Sequence, residues 1–191
     1  MEIVWQSPLE VIAIEAGDAA GWLEAATTLG EVEFTSLQSF VDNVIAFAQG
    51  VRIRKLHLQA HGNSEVIEFG SDLLTLANFN SKYRGLLSRL TPLFDKGAVV
   101  VLRACEVGQN VALLQNLAGA WNVTVISGRG FQNNLYNFNT GRYVVVAPNG
   151  AVDTSLFLPV EAKYEKDGAD QRIGQKLLQK MGINPAGKVW P

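Results

Sequence analysis

Two hydrophobic rhythms alternate along the chain. Residues 11–14, 98–102 and 123–127 are short runs dominated by Val, Ile, Leu and Ala, and residues 31–34 and 53–60 alternate apolar with polar positions, as strands do. Between them lie segments with helical spacing. Residues 37–49 place Leu37, Phe40, Val41, Val44, Ile45 and Ala48 on one face, with Ser36 as an N-cap and Gly50 as a stop. Residues 78–94 align Phe79, Tyr83, Leu86, Leu87 and Leu90, and residues 109–121 continue the pattern. An alanine-rich stretch, 19–28, follows a possible cap at Asp18 and stops at Gly30. Strands that alternate with helices predict an α/β fold: a mainly parallel central sheet with helices on both faces. A turn and a short extra strand, 66–69, interrupt the alternation after residue 62.

The pattern changes after residue 127. Residues 128–139 are rich in Gly and Asn and predict a long loop or irregular hairpin, mobile without a ligand. Residues 142–147 and 151–156 flank Pro148-Asn149-Gly150, a turn signal that predicts a C-terminal β-hairpin. A closing helix is expected over 169–181. The reading is one domain, 1–183, followed by a C-terminal tail, 184–191, with no internal repeat.

Composition narrows the function classes. With 48% hydrophobic and 18% charged residues, the chain has the makeup of a globular domain rather than a disordered one. A net charge of −2 without a basic run gives no reason to expect nucleic acid. No apolar run reaches membrane-spanning length, and the N-terminus lacks the basic and long apolar regions of a signal peptide. The expected location is cytoplasmic, or within a larger exported protein. No zinc-binding spacing occurs, so no metal or cofactor is expected.

The chemistry rests on one thiol and one imidazole. Cys105 is the only cysteine, and it follows the strand at 98–102. His61, one of only two histidines, follows the strand at 53–60 and precedes Gly62. The two residues are 44 positions apart, the span of a strand, a right-handed helical crossover over 78–94 and a second parallel strand. Sites in open α/β sheets form beyond the carboxyl ends of strands, so the spacing predicts a Cys–His dyad there. A thiol attacks as thiolate, and imidazole is a suitable base near neutral pH. The backbone N–H groups of Gly62 and Cys105 are the candidate oxyanion donors. The competing reading of Cys105 is a buried small hydrophobe. His57, inside the strand, reads as structural, and Glu106, Gln109 and Asn110 as polar residues of a helix start.

These segments resemble the clan CD cysteine peptidases, which have the caspase-like fold. Their marks are an apolar strand that ends in His-Gly and a second that ends in Ala-Cys. Here they read Lys55-Leu56-His57-Leu58-Gln59-Ala60-His61-Gly62 and Val99-Val100-Val101-Leu102-Arg103-Ala104-Cys105-Glu106. The wording is most similar to bacterial CHAT domains and to a related caspase-like domain of large bacterial surface proteins. The similarity covers residues 53–127.

The resemblance implies a caspase-like three-layer sandwich, His61 as base or proton shuttle, Cys105 as nucleophile, and cleavage of a protein or peptide substrate, self-processing included. It also implies that Glu106 lines a pocket for a basic side chain, that 128–139 forms the pocket wall, and that Arg129 and Phe131 contact substrate. An activating partner that orders this wall follows from the same resemblance. The motif departs from true caspases at Arg103 and Glu106, so an Asp preference does not carry over. The alternatives are a catalytically inactive caspase-like interaction domain and an α/β-hydrolase-like enzyme. The latter lacks the expected Gly-x-Cys-x-Gly elbow.

Overall fold

The computed structural model describes residues 9–16, 31–133 and 138–154. Its centre is a seven-stranded sheet in the order β11-β10-β7-β6-β3-β1-β2. The strands are β1 (Leu9–Glu15), β2 (Glu31–Phe34), β3 (Ile53–Gln59), β6 (Phe94–Arg103), β7 (Thr124–Gly128), β10 (Tyr143–Val146) and β11 (Val152–Asp153). The five strands from β2 to β7 are mutually parallel, while β10 and β11 run antiparallel at one end. The mainly parallel α/β sheet is the expected one, consistent with a caspase-like sandwich, and β10–β11 is the expected C-terminal hairpin as far as residue 154.

The helices are α1 (Leu37–Ala48), a composite helical segment α2 (76–93) and α3 (Val111–Trp121). They contact one another along one face of the sheet. Between sheet and helices lies the core, with Val11, Ala13, Leu56, Leu58, Val100, Leu102 and Val125 facing Phe40, Val44, Leu87 and Leu117. The opposite face is also buried, by Ile12, Ile14, His57, Gln59 and Arg103. Burial on both faces explains why these strands are so apolar. The helices predicted over 19–28 and 169–181, and the tail 184–191, lie outside the described residues.

Local chemistry explains the element ends. Ser36 and Ser39 form a reciprocal capping box at the start of α1. The helix ends with Gln49 in the left-handed region at φ 47°. Three elements differ from the sequence pattern. First, α2 is not one α-helix. It passes through a π-helical stretch (Phe79–Tyr83), a single α-helical turn and a 3₁₀ stretch (Ser88–Leu93) that contains Pro92. Second, β6 reaches back from the predicted start at Ala98 to Phe94. Its register against β3 jumps from Ile53–Phe94 to Lys55–Val99, and Gly97 takes φ 78° in the extra loop. Third, the strand expected at 66–69 is half of a hairpin, β4 (Val66–Phe69) with β5 (Asp72–Thr75).

That hairpin is fastened to the rest of the fold. Phe69 packs against Phe34 and Phe40, with ring centroids 5.6 and 5.2 Å apart. The Asp72 carboxylate accepts from the Leu37 N–H at 3.0 Å and from the Tyr83 hydroxyl at 2.9 Å. At the other end of the core, the fully buried Trp121 donates its indole N–H to the Leu87 carbonyl at 3.0 Å, which ties α3 to α2. Trp121→Ala removes a large buried ring and leaves that carbonyl without its donor. The expected loss is about 3–5 kcal/mol, read as a lower midpoint in urea denaturation.

Candidate functional site

The order of the parallel strands, β2-β1-β3-β6-β7, reverses direction between β1 and β3. Crevices in such sheets open beyond the carboxyl ends of strands at that reversal. Glu15 of β1 and His61 after β3 stand at that reversal, and Cys105 stands one strand further along, after β6.

Parallel pairing sets their level. The last β3–β6 pair is Gln59 with Arg103, so His61 and Cys105 each stand two residues beyond it. The Ala60 N–H extends the ladder by donating to the Arg103 carbonyl at 3.3 Å. The two motif loops then touch. A Cβ placed on Gly62 would lie 3.4 Å from the Ala104 Cβ and 3.0 Å from the Val107 Cγ2. His61 is exposed and Cys105 is half-buried, so the thiol is not sealed in the core.

Gly62 forms an isolated antiparallel bridge with Ile67, closed by hydrogen bonds from Asn63 to Val66 and from Glu68 to His61. In this kind of bridge the paired residues turn their own N–H groups outward. The Gly62 N–H has no hydrogen-bond partner among the described residues. The next amide beyond Cys105, on Glu106, is occupied by the Gly130 carbonyl at 2.7 Å.

The turn that bears Cys105 is strained and stitched down. Glu106 has φ 58°, a left-handed conformation uncommon outside glycine. A 3₁₀ turn (Val107–Gln109) follows, and α3 begins only at Val111, capped by the Asn110 side chain. The helix predicted from Gln109 thus starts later, with a turn between the thiol and its N-terminus. The Glu106 carboxylate accepts from the Gln109 side chain at 3.4 Å, so it faces the helix start. Arg129 is exposed, and its carbonyl accepts from the Gln109 amide at 2.8 Å. Phe131 is half-buried, with its N–H on the Thr140 hydroxyl at 2.8 Å. The main chain around Arg129 and Phe131 therefore lies against the Cys105 turn.

Residues 128–139 contain an irregular hairpin, one of the two forms expected. In their described part they form β8 (Gln132–Asn133) paired with β9 (Phe138–Asn139). The buried Asn139 side chain accepts from the N–H groups of Gly130 and Gly141, both at 2.9 Å, and donates to the Gly130 carbonyl at 3.1 Å. Glycine is required there, because a Cβ on Gly128 would meet the Asn139 amide at 2.1 Å. Gly128, Gly130 and Asn139 thus meet at close contact.

Two further contributors gave no signal in the sequence. Glu15 accepts from the backbone N–H of His61 and of Gly70, both at 3.1 Å, and so joins the His61 loop to the β4–β5 turn. Gln132 donates its N–H to the Cys105 sulfur at 3.4 Å. Both contacts link residues far apart in the chain. No group of three or more His, Cys, Asp or Glu side chains among the described residues could hold a metal ion.

His57 has a separate, structural environment. It is buried, and its Nε2 lies 2.8 Å from the Glu10 carboxylate, which can only accept. Its Nδ1 is buried without a hydrogen-bond partner among the described residues. A second ring proton would have no acceptor, so the neutral ring fits the site. Burial pushes the His57 pKa down and the Arg103 charge adds to this, while Glu10 pulls the other way without prevailing. Burial works to raise the Glu10 carboxyl, but the His57 and Lys55 contacts hold it below its ordinary range.

The fold and site define an α/β domain with a thiol and an imidazole at the ends of adjacent parallel strands. The chain belongs to the family described as a domain of unknown function, DUF4347, whose model matches residues 24–129. Comparison with curated proteins gives no match. No helix among the described residues is long and apolar enough to cross a membrane.

Two outcomes follow from this geometry. A Cβ on Gly62 would approach the Val66 carbonyl to 2.8 Å, so Gly62→Ala should displace the His61 loop, seen as altered chemical shifts at His61 with the core unchanged. The lowered His57 pKa stabilises the fold fully above the unfolded value of about 6.5 and loses that stabilisation as pH falls from there to the folded value. The melting temperature should therefore fall between about pH 7 and pH 5, and less steeply in His57→Gln. An unchanged slope in that variant would assign the effect elsewhere.

Proposed function

We propose that this domain is a caspase-like cysteine endopeptidase that cleaves a protein substrate with a His61–Cys105 dyad. The observation that carries the reading is the β3–β6 register, which brings the His-Gly and Ala-Cys loops to the same level and into contact. His61 takes the thiol proton, directly or through water, and the Cys105 thiolate attacks the scissile carbonyl carbon. The carbonyl oxygen gains the negative charge, and the Gly62 N–H stabilises it, with the Cys105 N–H as the second nominated donor. Collapse of the tetrahedral intermediate expels the amine, which leaves with the proton from His61. Water then hydrolyses the thioester, with His61 again as base.

The substrate strand runs along the wall formed by Arg129 and Phe131. The resemblance also supports a latent free form, raised in activity by an activating partner, and cleavage within a longer polypeptide that carries the domain. Glu106 would serve a basic side chain only if its carboxylate left Gln109.

The test is labelling with a peptide-based thiol-reactive inhibitor, together with cleavage of a peptide library. Cys105→Ala should abolish both signals, and His61→Ala should reduce cleavage by about 10²–10⁴-fold. His57→Ala should lower stability more than turnover. Equal loss of activity in folded His57→Ala and His61→Ala would overturn the assignment of roles. A folded wild type that takes up no inhibitor, with or without candidate partners, would favour an interaction domain without catalysis.

A further inference from the structure

Cys105 has a polar neighbour in the main chain of β8. The Gln132 N–H lies 3.4 Å from the sulfur, while the Gln132 carbonyl is 3.9 Å away. The shorter contact is the one in which sulfur accepts. An N–H directed at sulfur favours the charged thiolate over the neutral thiol. The bond that closes β8 on β9 runs from the Thr140 N–H to the Phe131 carbonyl, and Gln132 turns its N–H to the other side.

What holds Gln132 there is Asn139. Its side chain grips Gly130 at both main-chain groups, and its amide also donates to the Gln132 side chain at 3.3 Å. The Gly130 carbonyl in turn receives the Glu106 N–H, so the Cys105 turn and β8 are stitched at two successive points. Asn139 is 2% exposed. A buried amide with its donor and acceptor both engaged fixes one arrangement of these backbones.

We propose that the Gln132 main-chain N–H is a second activator of Cys105, independent of His61, and that Asn139 is the positioning residue that aims it. The inference rests on Cys105 as the nucleophile of the proposed peptidase and names the group that sustains its thiolate. A shift of β8 would withdraw the donor and quiet the thiol.

The experiment is the pH dependence of alkylation by iodoacetamide, read by intact mass. Cys105 is the only cysteine, so each adduct reports on it. In Asn139→Ala the midpoint should rise by about one pH unit, or about tenfold less thiolate at pH values below the midpoint. The same rise should appear in the His61→Ala background. A change in access alone would scale the rate at every pH and leave the midpoint in place. Gln132→Pro removes the N–H and should give the same rise, whereas Gln132→Ala keeps the donor and the Asn139 grip on Gly130 and should move the midpoint by clearly less. If Asn139→Ala fails to fold by circular dichroism, Gln132→Pro decides. An unmoved midpoint in either folded variant, or a rise that vanishes without His61, overturns the proposal. No peptide is cleaved in this measurement, so its failure is distinct from failure of the peptidase reading.

Discussion

The parallel register between β3 and β6 is the constraint from which the rest of the site follows. Pairing Gln59 with Arg103 brings two loops from distant parts of the chain to the same height at the sheet's edge. A register slip of one residue would turn every side chain of β3 to the opposite face. Leu56 and Leu58 would leave the helix-covered core, and His57 and Gln59 would enter it. Because both faces are buried, the cost of that exchange is the transfer of the His57 imidazole, away from Glu10, and of the Gln59 amide into an aliphatic core, and it protects the register. Placement of the site is thus a by-product of hydrophobic burial some residues away.

Above the sheet, polar contacts take over from packing. Glu15 ties the His61 loop to the β4–β5 hairpin, and Asp72 ties that hairpin to the start of α1. On the Cys105 side, Asn139 performs the equivalent task for β8. Each uses a side-chain carboxylate or amide to satisfy backbone groups that neither a helix nor a strand serves. The two halves of the site are therefore anchored separately, one to β1 and one to the β8–β9 hairpin. A shift of the hairpin would alter the surroundings of Cys105 while His61 kept its own anchor.

The buried pair of His57 and Glu10 shows why residue type alone does not identify a site. Both histidines belong to the same strand and its extension, four residues apart. His57 points into the sheet's second covered face, where burial keeps it neutral and Glu10 fixes its ring. His61 lies past the last ladder pair and is exposed. The difference is position relative to the end of the strand, which decides whether an imidazole is shut in or can exchange protons with a neighbour.

Much of this was legible in the sequence because periodicity records burial. The apolar runs gave the strands, the spacing in 37–49 gave α1, and Ser36 and Pro148-Asn149-Gly150 marked a cap and a turn through purely local chemistry. The His-Gly and Ala-Cys motifs were legible because each ends such a run. Contacts that are neither local nor periodic were not. Nothing in the sequence couples Glu15 to His61, Asn139 to Gly130 or Gln132 to Cys105, and the bulge at Gly97 and the pairing of β5 with β4 depend equally on neighbours. At 128–139 composition alone does not separate two uses of the same residues. Glycine and asparagine suit mobile loops, but they also suit places where two backbones must touch and a buried amide must satisfy them both. Sequence determined which segments are buried and which residues carry chemistry; tertiary structure alone decided which backbone group faces the thiol, because that depends on hydrogen-bond geometry between strands that meet only when the sheet is formed.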